Sequence, residues 1–311
     1  EGIYNASKGI TIPKYVSGGK TNPLVISSYK DEQVSIVGGI TVRGQDAKVA
    51  DDEFAKKYLK EEAYGRVYSV NLKELGYNDY PQISKTASPA LVVNGTSYNL
   101  ARWPNSGTTK MKKLDESEYK YGVIDPGPVT SMLGGKAITG DTGGGFEFVP
   151  EDSRPLSWHN DGNIWMYGSF GVEYLKGQAQ IQDIKSFKND MASIRTVSLY
   201  GPGANYSTHC SFYYFNVFEE LDEPGEWYMD RNTGMLYIYP LTKLSGNDID
   251  IATSDENLIT FESNTHDVVI NGINVKNGKG NGIVVQGYNN VIQNCDFSDL
   301  GASGVRIANS T

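Results

Sequence analysis

The stretches VVINGINV, residues 268–275, and NVIQNCDF, residues 290–297, share one pattern of apolar and polar side chains. Apolar positions of the first stretch recur in the second 22 positions later, pairing Ile270 with Ile292, Ile273 with Cys295 and Val275 with Phe297. A coil with such short alternating strands cannot close a core alone, so it buries its apolar side chains by stacking on the next coil. The repeat therefore predicts a β-solenoid whose coils lie about 4.8 Å apart.

The same pattern continues on both sides of these stretches. Gly282–Val285 corresponds to Gly304–Ile307 at the same offset, and Asn257–Phe261 fits one coil earlier. We predict two inward ladders, one of Ile259, Ile283 and Val305, the other of Phe261, Val285 and Ile307. Strands that fit the first coils are Ile10–Ile12, Leu24–Ile26 and Val34–Val37. Gly and Asn between the strands suit tight turns and left-handed backbone.

Residues 51–247 lack this repeat and predict an inserted β-rich lobe. Asp51–Tyr64 is typical of a short helix, capped by Asp51 or Asp52, because its apolar residues have helical spacing. Eight strands without a fixed period follow: Val67–Leu72, Ala90–Val93, Gly145–Val149, Asn163–Tyr167, Ala179–Ile184, Ser193–Leu199, Phe212–Val217 and Met235–Tyr239. The sequence thus predicts an all-β chain, with the first β-helix coils in residues 1–50, the lobe in 51–247 and further coils in 248–311. Because solenoids end in polar caps, we expect this one to be incomplete and to continue after Thr311.

Composition excludes some classes of function. The formal net charge of −9 disfavours nucleic acid, whose phosphates would be repelled. No apolar run approaches the roughly 20 residues of a membrane span. Cys210 and Cys295 allow at most one disulfide, and the apolar slot of Cys295 favours a buried free thiol. His159, His209 and His266 lack metal-ligand spacing, so we predict neither a metal nor a cofactor.

Several segments resemble a family of proteins. Glu1–Tyr4 (EGIY) is similar to the end of the first strand in extracellular right-handed parallel β-helix proteins. Val93–Gly95 (VNG), followed by Ala101–Asn105 (ARWPN), resembles an element of a bacterial group with an insertion after its first coils. Glu219–Arg231 (EELDEPGEWYMDR), continuing into Thr233–Tyr237 (TGMLY), resembles another segment of that group. The group belongs to the pectate-lyase-like superfamily and includes glycoside hydrolase family 141.

The resemblance implies a fold and a class of activity. The fold is a right-handed parallel β-helix, and the protein is secreted or on the cell surface. The partner is a polysaccharide or oligosaccharide from plants or microbes, which the protein degrades. In such proteins the cleft runs along one outer face of the coils, often far along the solenoid, so coils after Thr311 are one location for the catalytic acids.

Within this chain, Asp296 and Asp299 form the best pair of acids on a repeat. Glycoside hydrolysis needs two carboxyl groups about 5 to 10 Å apart that face one sugar. Asp296 occupies an outward slot between inward residues, and Asp299 follows at the turn. The structural alternative is a solvated strand residue followed by an Asx-type turn. Asn274 and Asn277 hold the equivalent positions one coil earlier, so a polar track across this face is expected.

Three further residues are candidates for substrate binding. Arg306 is expected to point outward, where its guanidinium can form a fork of hydrogen bonds, either with a sugar or with a neighbouring acid. Trp158 and His159 lie in a polar, aromatic loop of the lobe and are our preferred ligand contacts there. For Trp103 and Trp227 we expect core packing instead.

Three hypotheses for function follow. The first is an extracellular glycoside hydrolase related to family 141. The second is a polysaccharide lyase, which would require uronic acid substrates and a Lys or Arg base near the cleft. The third is a non-catalytic surface or adhesion solenoid, since the fold alone does not fix function. Substrate and oligomeric state are not predicted.

Overall fold

A computed structural model describes residues 2–30, 32–78, 80–84, 87–115, 117, 123–125, 147–169, 176–197 and 210–308. These residues form 26 strands and one α-helix, with a few short 3₁₀-helices, so the prediction of an all-β chain is confirmed. None of the helices in these ranges has the length and apolarity to cross a membrane.

The chain divides into two compact units. The first unit comprises Glu1–Lys48, Asn71–Tyr98 and Thr242–Thr311, and the second comprises Val49–Val70 and Asn99–Leu241. The segment 71–98, which the sequence had assigned to the lobe, thus groups with the two ends of the chain. As domains, the segments 1–50, 51–247 and 248–311 stay a prediction.

Three sheets of the first unit contain only parallel strand pairs, and together we call them the parallel stack. The first sheet has the order β1 (Gly2–Asn5), β4 (Val34–Val37), β22 (Asn274–Gly278), β25 (Asp296–Leu300). The second has the order β2 (Ile10–Ile12), β20 (Ile259–Phe261), β23 (Ile283–Val285), β26 (Val305–Ile307). The third has the order β3 (Leu24–Ser27), β21 (Val268–Asn271), β24 (Val291–Gln293). Successive strands along the chain belong to the first, second and third sheet in turn.

The predicted register between repeats is confirmed. Cα partners across neighbouring strands include Ile270 with Ile292, Val275 with Phe297, Ile283 with Val305, and Val285 with Ile307. Side chains from the three sheets meet in one apolar core, in which Ile259, Phe261, Ile270, Val275 and Ile283 are almost fully buried. Apolar burial at aligned positions is the main source of stability in such a stack.

The last members of the two predicted ladders are not buried. Val305 is 40% exposed and Ile307 is 84% exposed, whereas Ile283 of the preceding strand is fully buried. Both residues lie on β26, which is the edge strand of its sheet, so one side of each lacks a neighbouring strand within the described residues. The alignment was predicted correctly, and the burial was wrong at this edge.

Antiparallel strands connect the parallel stack to the intervening chain. Strand β5 (Gly39–Arg43) leaves directly after β4 and pairs along its whole length with β19 (Asp248–Ala252), which leads back to β20. Gly39 is the Cα partner of Ala252, so the outgoing and returning chains lie side by side. Strand β8 (Leu91–Val93) pairs antiparallel with β19 and with the start of β9 (Thr96–Leu100).

The helix of the second unit begins where the sequence predicts but ends earlier. Helix α1 spans Glu53–Tyr58, and the side chain of Asp52 caps it by accepting a hydrogen bond from the backbone N–H of Ala55 at 3.0 Å. Leu59 has extended backbone, so the chain continues as a 3₁₀-helix over Glu61–Ala63 instead of reaching Tyr64 as α-helix. The other 3₁₀-helices of the chain are Lys14–Val16, Gly44–Asp46, Arg154–Ser157, Lys188–Asp190 and Phe218–Glu220.

The strands of the second unit form two groups. A seven-stranded sheet has the order β10 (Arg102–Trp103), β16 (Ser211–Phe215), β13 (Trp165–Ser169), β14 (Lys176–Phe187), β15 (Met191–Val197), β12 (Glu147–Phe148), β11 (Val123–Asp125). Strands β17 (Glu226–Asp230) and β18 (Met235–Tyr239) pair antiparallel, with β7 (Tyr68–Asn71) and β6 (Lys48–Val49) next in order after β18. Each of the eight strands predicted for the lobe overlaps a strand named above. Residues 145–146 and 198–199 of two predicted strands lie outside the described residues.

Two apolar clusters lie among the described residues of this unit. One packs α1 against strands β17 and β18, and the other fills the seven-stranded sheet around Met166, Phe212 and Tyr214. Trp227 is fully buried, as predicted for core packing, and Trp103 lies half-buried against the second cluster. Cys210 and Cys295 are not joined in a disulfide, and Cys295 is half-buried, not buried as predicted.

Candidate functional site

A row of polar residues crosses the outer face of the first parallel sheet. Ser35, Asn274 and Asp296 are Cα partners on three successive strands. Their neighbours Val275 and Phe297 point into the apolar core, and successive side chains of a strand face opposite ways, so the row faces outward. Asp296 is exposed, and the side-chain amide of Asn274 donates to Oε1 of Gln33 at 3.3 Å. Asn274 and Asp296 of the predicted polar track lie on this face, whereas Asn277, which the sequence also assigned to the track, is only 4% exposed.

Asp299 is the last residue but one of the same strand, β25, and has left-handed backbone. Its φ is 51°, and Asn277, the equivalent residue one coil earlier, has φ of 61°. The Asp299 carboxylate accepts a short hydrogen bond from the hydroxyl of Ser97. Asp296 and Asp299 are three residues apart, so their Cα atoms are at most about 10 Å from one another. The assignment of both as catalytic acids stays a prediction.

Arg306 lies on a different sheet from the two acids. Arg306 is exposed on β26, and its Cα partner on the neighbouring strand is Val284. Thr260 is in turn the Cα partner of Val284 on the strand after that. The structure therefore brings Asn274 and Asp296 onto neighbouring strands but places Arg306 apart from them on the second sheet. Its role in substrate binding stays a prediction.

Trp158, in the second unit, is buried. Its exposed fraction is 7%, and its ring contacts Trp103 and Tyr214 at centroid distances of 6.2 and 4.9 Å. The indole N–H donates to Oε1 of Glu220 at 2.7 Å. These contacts give Trp158 a structural role, and its predicted contact with a ligand stays untested.

His159 is half-buried beside an aromatic group on α1. Its ring stacks on Tyr58 at 4.7 Å, with Nδ1 3.2 Å from the Tyr58 hydroxyl, and Phe54 approaches edge-on. The His159 backbone N–H donates to Oε1 of Glu219 at 2.5 Å. The predicted Trp158–His159 segment therefore contacts two adjacent glutamates, Glu219 through the backbone and Glu220 through the indole.

Sequence reasoning missed the ionic cluster around Glu220. This carboxylate is 1% exposed and accepts hydrogen bonds from Nε and Nη2 of Arg154, both at 2.7 Å, and from Nζ of Lys60 at 2.9 Å. Lys60 also pairs closely with Asp222. The partners are far apart in sequence, so no local spacing could reveal them. The one available signal was two adjacent acids directly after the apolar run that ends at Phe218.

Glu219 is a buried carboxyl with one free oxygen. Only 8% of the residue is exposed, and Oε2 has no hydrogen-bond partner among the described residues. Burial raises the pKa of Glu219 to about 7, and the charges of Glu220 and Asp161 act in the same direction. Such a group can exchange a proton near neutral pH. Because so little of it is exposed, a polymeric substrate could not reach it without movement of the surrounding loops.

Glu226 is a second buried carboxyl, and its contacts brace a turn. Oε2 accepts the backbone N–H groups of Asp222 and Glu223, each at 3.2 Å. Burial raises the pKa of Glu226 to about 8. The carboxyl holds the turn that precedes β17, so we assign it to the fold and not to catalysis.

The described residues contain no group of three or more His, Cys, Asp or Glu side chains arranged to hold a metal ion. His209 lies outside the described residues. His266 contacts one carboxylate, with its Nδ1 2.8 Å from Oδ2 of Asp267, and its ring stacks on Tyr288 of the next coil.

Comparisons with known proteins show a similarity in structure. No protein-family model matches this chain, and no curated protein matches it. A solved structure named "Glycoside hydrolase" is 17% identical, with a TM-score of 0.57, over 89% of this chain and 42% of that one. The chain therefore spans less than half the length of that structure. At this identity the similarity concerns the fold.

Proposed function

We propose that the parallel stack is part of a right-handed parallel β-helix, and that the chain belongs to a secreted or cell-surface glycoside hydrolase that degrades plant or microbial polysaccharides. The observation that carries the proposal is the outward polar row Ser35, Asn274 and Asp296, with Asp299 three residues further along the strand of Asp296. The similarity in fold to a protein named as a glycoside hydrolase supports it. The net charge of −9 favours a neutral glycan over a polyanion.

The two acids would divide the chemistry of hydrolysis. A hydrogen bond from the Ser97 hydroxyl holds the Asp299 carboxylate in place, and we assign Asp299 as the base or nucleophile. Asp296 is then the acid that protonates the glycosidic oxygen as the bond to the anomeric carbon breaks. Water supplies the hydroxyl that ends on the anomeric carbon, and the product carries a new reducing end. Asn274, one strand away, would hydrogen-bond a sugar hydroxyl.

The activity is tested by incubating the protein with plant and microbial glycans. New reducing ends without unsaturation support the hydrolase. Absorbance from an unsaturated product would instead identify a lyase, and binding without any product would identify an adhesion protein. Either of the last two results contradicts the proposal.

The two acids are tested by substitution on any glycan that gives product. Removing a general acid or base lowers turnover by about 10²- to 10⁴-fold, and we expect this of Asp296→Asn and Asp299→Asn. Asp248→Asn, at an exposed aspartate on β19, is the matched control and should keep full activity. Full activity of both test variants would place the catalytic acids elsewhere, while leaving the hydrolase itself standing.

A further inference from the structure

The hairpin of β8 and β9 meets the parallel stack beside Asp299. The hydroxyl of Ser97, on β9, donates a short hydrogen bond to the Asp299 carboxylate. A Cβ added to Gly301, two residues later, would lie 2.9 Å from the backbone oxygen of Ser88, in the chain that leads into β8. All four residues belong to the first unit. The surface that carries Asp299 therefore continues onto this hairpin.

A row of Cα partners leads from Ser97 across three further strands of the same unit. Its members on β9, β8, β19 and β5 are, in that order, Ser97, Val92, Asp250 and Thr41. Cα partners of antiparallel strands lie on one face of a sheet. Their neighbours along β8 and β19, Leu91 and Ile251, face the other way and are fully buried. The row therefore lies on the outer face, and its surface is polar because its apolar member, Val92, is only 6% exposed.

A carboxylate, a hydroxyl and an aromatic ring lie together at the far end of this row. The exposed Thr41 donates through its hydroxyl to Oδ1 of the half-buried Asp250 at 2.6 Å, and Oδ2 of Asp250 accepts from no described residue. The hydroxyl of Tyr77 donates to the backbone oxygen of Thr41 at 3.3 Å, which places its half-buried ring beside the row. We call Thr41, Asp250 and Tyr77 the distal group. A carboxylate oxygen can accept from sugar hydroxyls, and a partly exposed ring offers an apolar surface for a sugar to pack against.

The charge of the distal group selects among sugars. Its one ionisable acid is Asp250, and it includes no cation. Arg43, two residues after Thr41 on β5, is paired with Asp46 through hydrogen bonds of 3.0 and 3.1 Å. A carboxylate repels a sugar that carries an acid of its own. The distal group therefore suits a neutral sugar.

The spacing of strands sets the distance between the distal group and Asp299. Neighbouring strands lie about 4.8 Å apart, so the Cα atom of Asp250 is about 10 Å from that of Ser97, and the Cα atom of Thr41 is about 14 Å from it. Ser97 contacts Asp299, so the distal group is more than one sugar ring away from this acid. A single sugar at Asp299 cannot contact the distal group, whereas a chain laid across the strands of the row can.

We propose that the distal group is a second sugar-binding subsite, which holds a neutral glycan chain more than one ring away from the proposed catalytic acids. The inference rests on the proposed function, because it takes Asp299 as the point near which the chain is cut. Contacts at the distal group are the same before and during the reaction, since they lie away from the bond that breaks. Such uniform binding lowers KM and leaves kcat unchanged.

Calorimetric titration with neutral oligosaccharides of increasing length tests the subsite. The series is prepared from a glycan that the protein cuts or binds, and Asp296→Asn serves as the background so that the ligand is not consumed. Affinity should rise with length until the chain reaches the distal group. Asp250→Asn and Tyr77→Ala should each weaken the binding of long chains by about 3- to 10-fold, which corresponds to the loss of roughly one hydrogen bond. Neither should change the binding of the shortest chain.

Leu75→Ala is the matched control, since Leu75 is 41% exposed in the same segment of the same unit but outside the row. This variant should bind chains of every length like the background, and circular dichroism should show that all variants are folded. Equal weakening for short and long chains, or no weakening for either, overturns the subsite while leaving the hydrolase standing. A screen in which no glycan is cut or bound overturns both.

Discussion

Two arginines, Arg154 and Arg43, each make a fork of two hydrogen bonds with one carboxylate, in surroundings that differ in burial. Arg154 binds Glu220, whose side chain is 1% exposed, at 2.7 Å through both Nε and Nη2. Arg43 binds Asp46 at 3.0 and 3.1 Å, but its own side chain is 68% exposed. Solvent weakens an exposed pair, whereas a buried carboxylate depends on its partners.

We therefore expect Arg154→Lys to lower the free energy of unfolding by about 1–2 kcal/mol, because a lysine cannot reproduce the fork. Arg43→Lys is the control and should change it by less than about 0.5 kcal/mol. Urea unfolding at neutral pH measures both. Equal effects of the two substitutions would show that the fork on Glu220 contributes no more than an exposed ion pair.

Glu219 should make stability depend on pH. Its pKa of about 7 in the folded state lies above the ordinary value, so the folded protein keeps a proton that the unfolded chain has released. Stability is therefore lost as pH rises from about 4.5 to 7 and is constant above that range, at a total cost of about 3 kcal/mol. Glu219→Gln removes this contribution. Between pH 5 and 8 the wild type should lose more stability than this variant does.

The matched control for that comparison is Glu223→Gln, at an exposed glutamate four residues away. It should keep the wild-type dependence on pH. If Glu219→Gln follows the same pH dependence as the wild type, the carboxyl of Glu219 titrates equally in the folded and unfolded chains. Unfolding by urea at each pH supplies the free energies.

The sequence predicted the positions of some individual residues but not the contacts of others. Outward placement of Asn274 and Asp296 followed from strand alternation, because a period of two fixes the face on which each side chain lies. The contacts of Glu219 and Glu220 were not predictable, since Lys60 and Arg154 approach them from distant parts of the chain. Long-range ionic contacts leave no periodic signal in a sequence.

At the scale of elements, the repeat fixes the turns as well as the strands. Asp267 and Asn289 both have positive φ, as do Gly272 and Asn294, and each pair is one coil apart. The amide of Asn294 donates to Oδ1 of Asn271 at 2.8 Å, which links neighbouring coils. Recurrent Gly and Asn therefore marked the turns correctly. Helix α1 was placed correctly at its capped start, but it ends at Tyr58, before the predicted Tyr64, because Leu59 has extended backbone.

Gly287 is the turn residue with the least room. Its φ is 106°, and a Cβ there would lie 2.0 Å from the backbone oxygen of Thr265. Gly287→Ala should lower the free energy of unfolding by more than about 3 kcal/mol, because backbone strain and a clash add. Gly76→Ala is the control, with φ of 89° and open space around the added atom, and should cost about 1 kcal/mol. Similar losses would mean that the neighbouring coil shifts to make room.

At the scale of the whole molecule, the position of a residue along the stack decides how much its side chain contributes. Ile26 and Ile270 are strand partners in one column, but Ile26 is 37% exposed and Ile270 is fully buried. Ile270→Ala should cost about 2–5 kcal/mol, the range for truncating a buried isoleucine. Ile26→Ala should cost less than about 1 kcal/mol. Equal costs, measured in dilute protein, would contradict this gradient.

The sequence predicted which residues align along this stack but not how deeply each is buried. Val305 and Ile307 have the same apolar character as their buried partners, so the repeat alone assigns them to the core. Burial depends on whether another strand lies beside them, and a periodic pattern contains no such information. The segment 71–98 was misjudged for a related reason, because its pairing through β8 with β19 is long-range.

The pairing of β5 with β19 has an evolutionary consequence. Since Gly39 and Ala252 are partners, the polypeptide between them begins and finishes at one point on the scaffold. The segment between these two residues can become longer or shorter, or be replaced, without changing the register of the parallel strands on either side. The chain between Gly39 and Ala252 is therefore a site that tolerates insertions. We expect homologous proteins to differ most in the length and sequence of this segment.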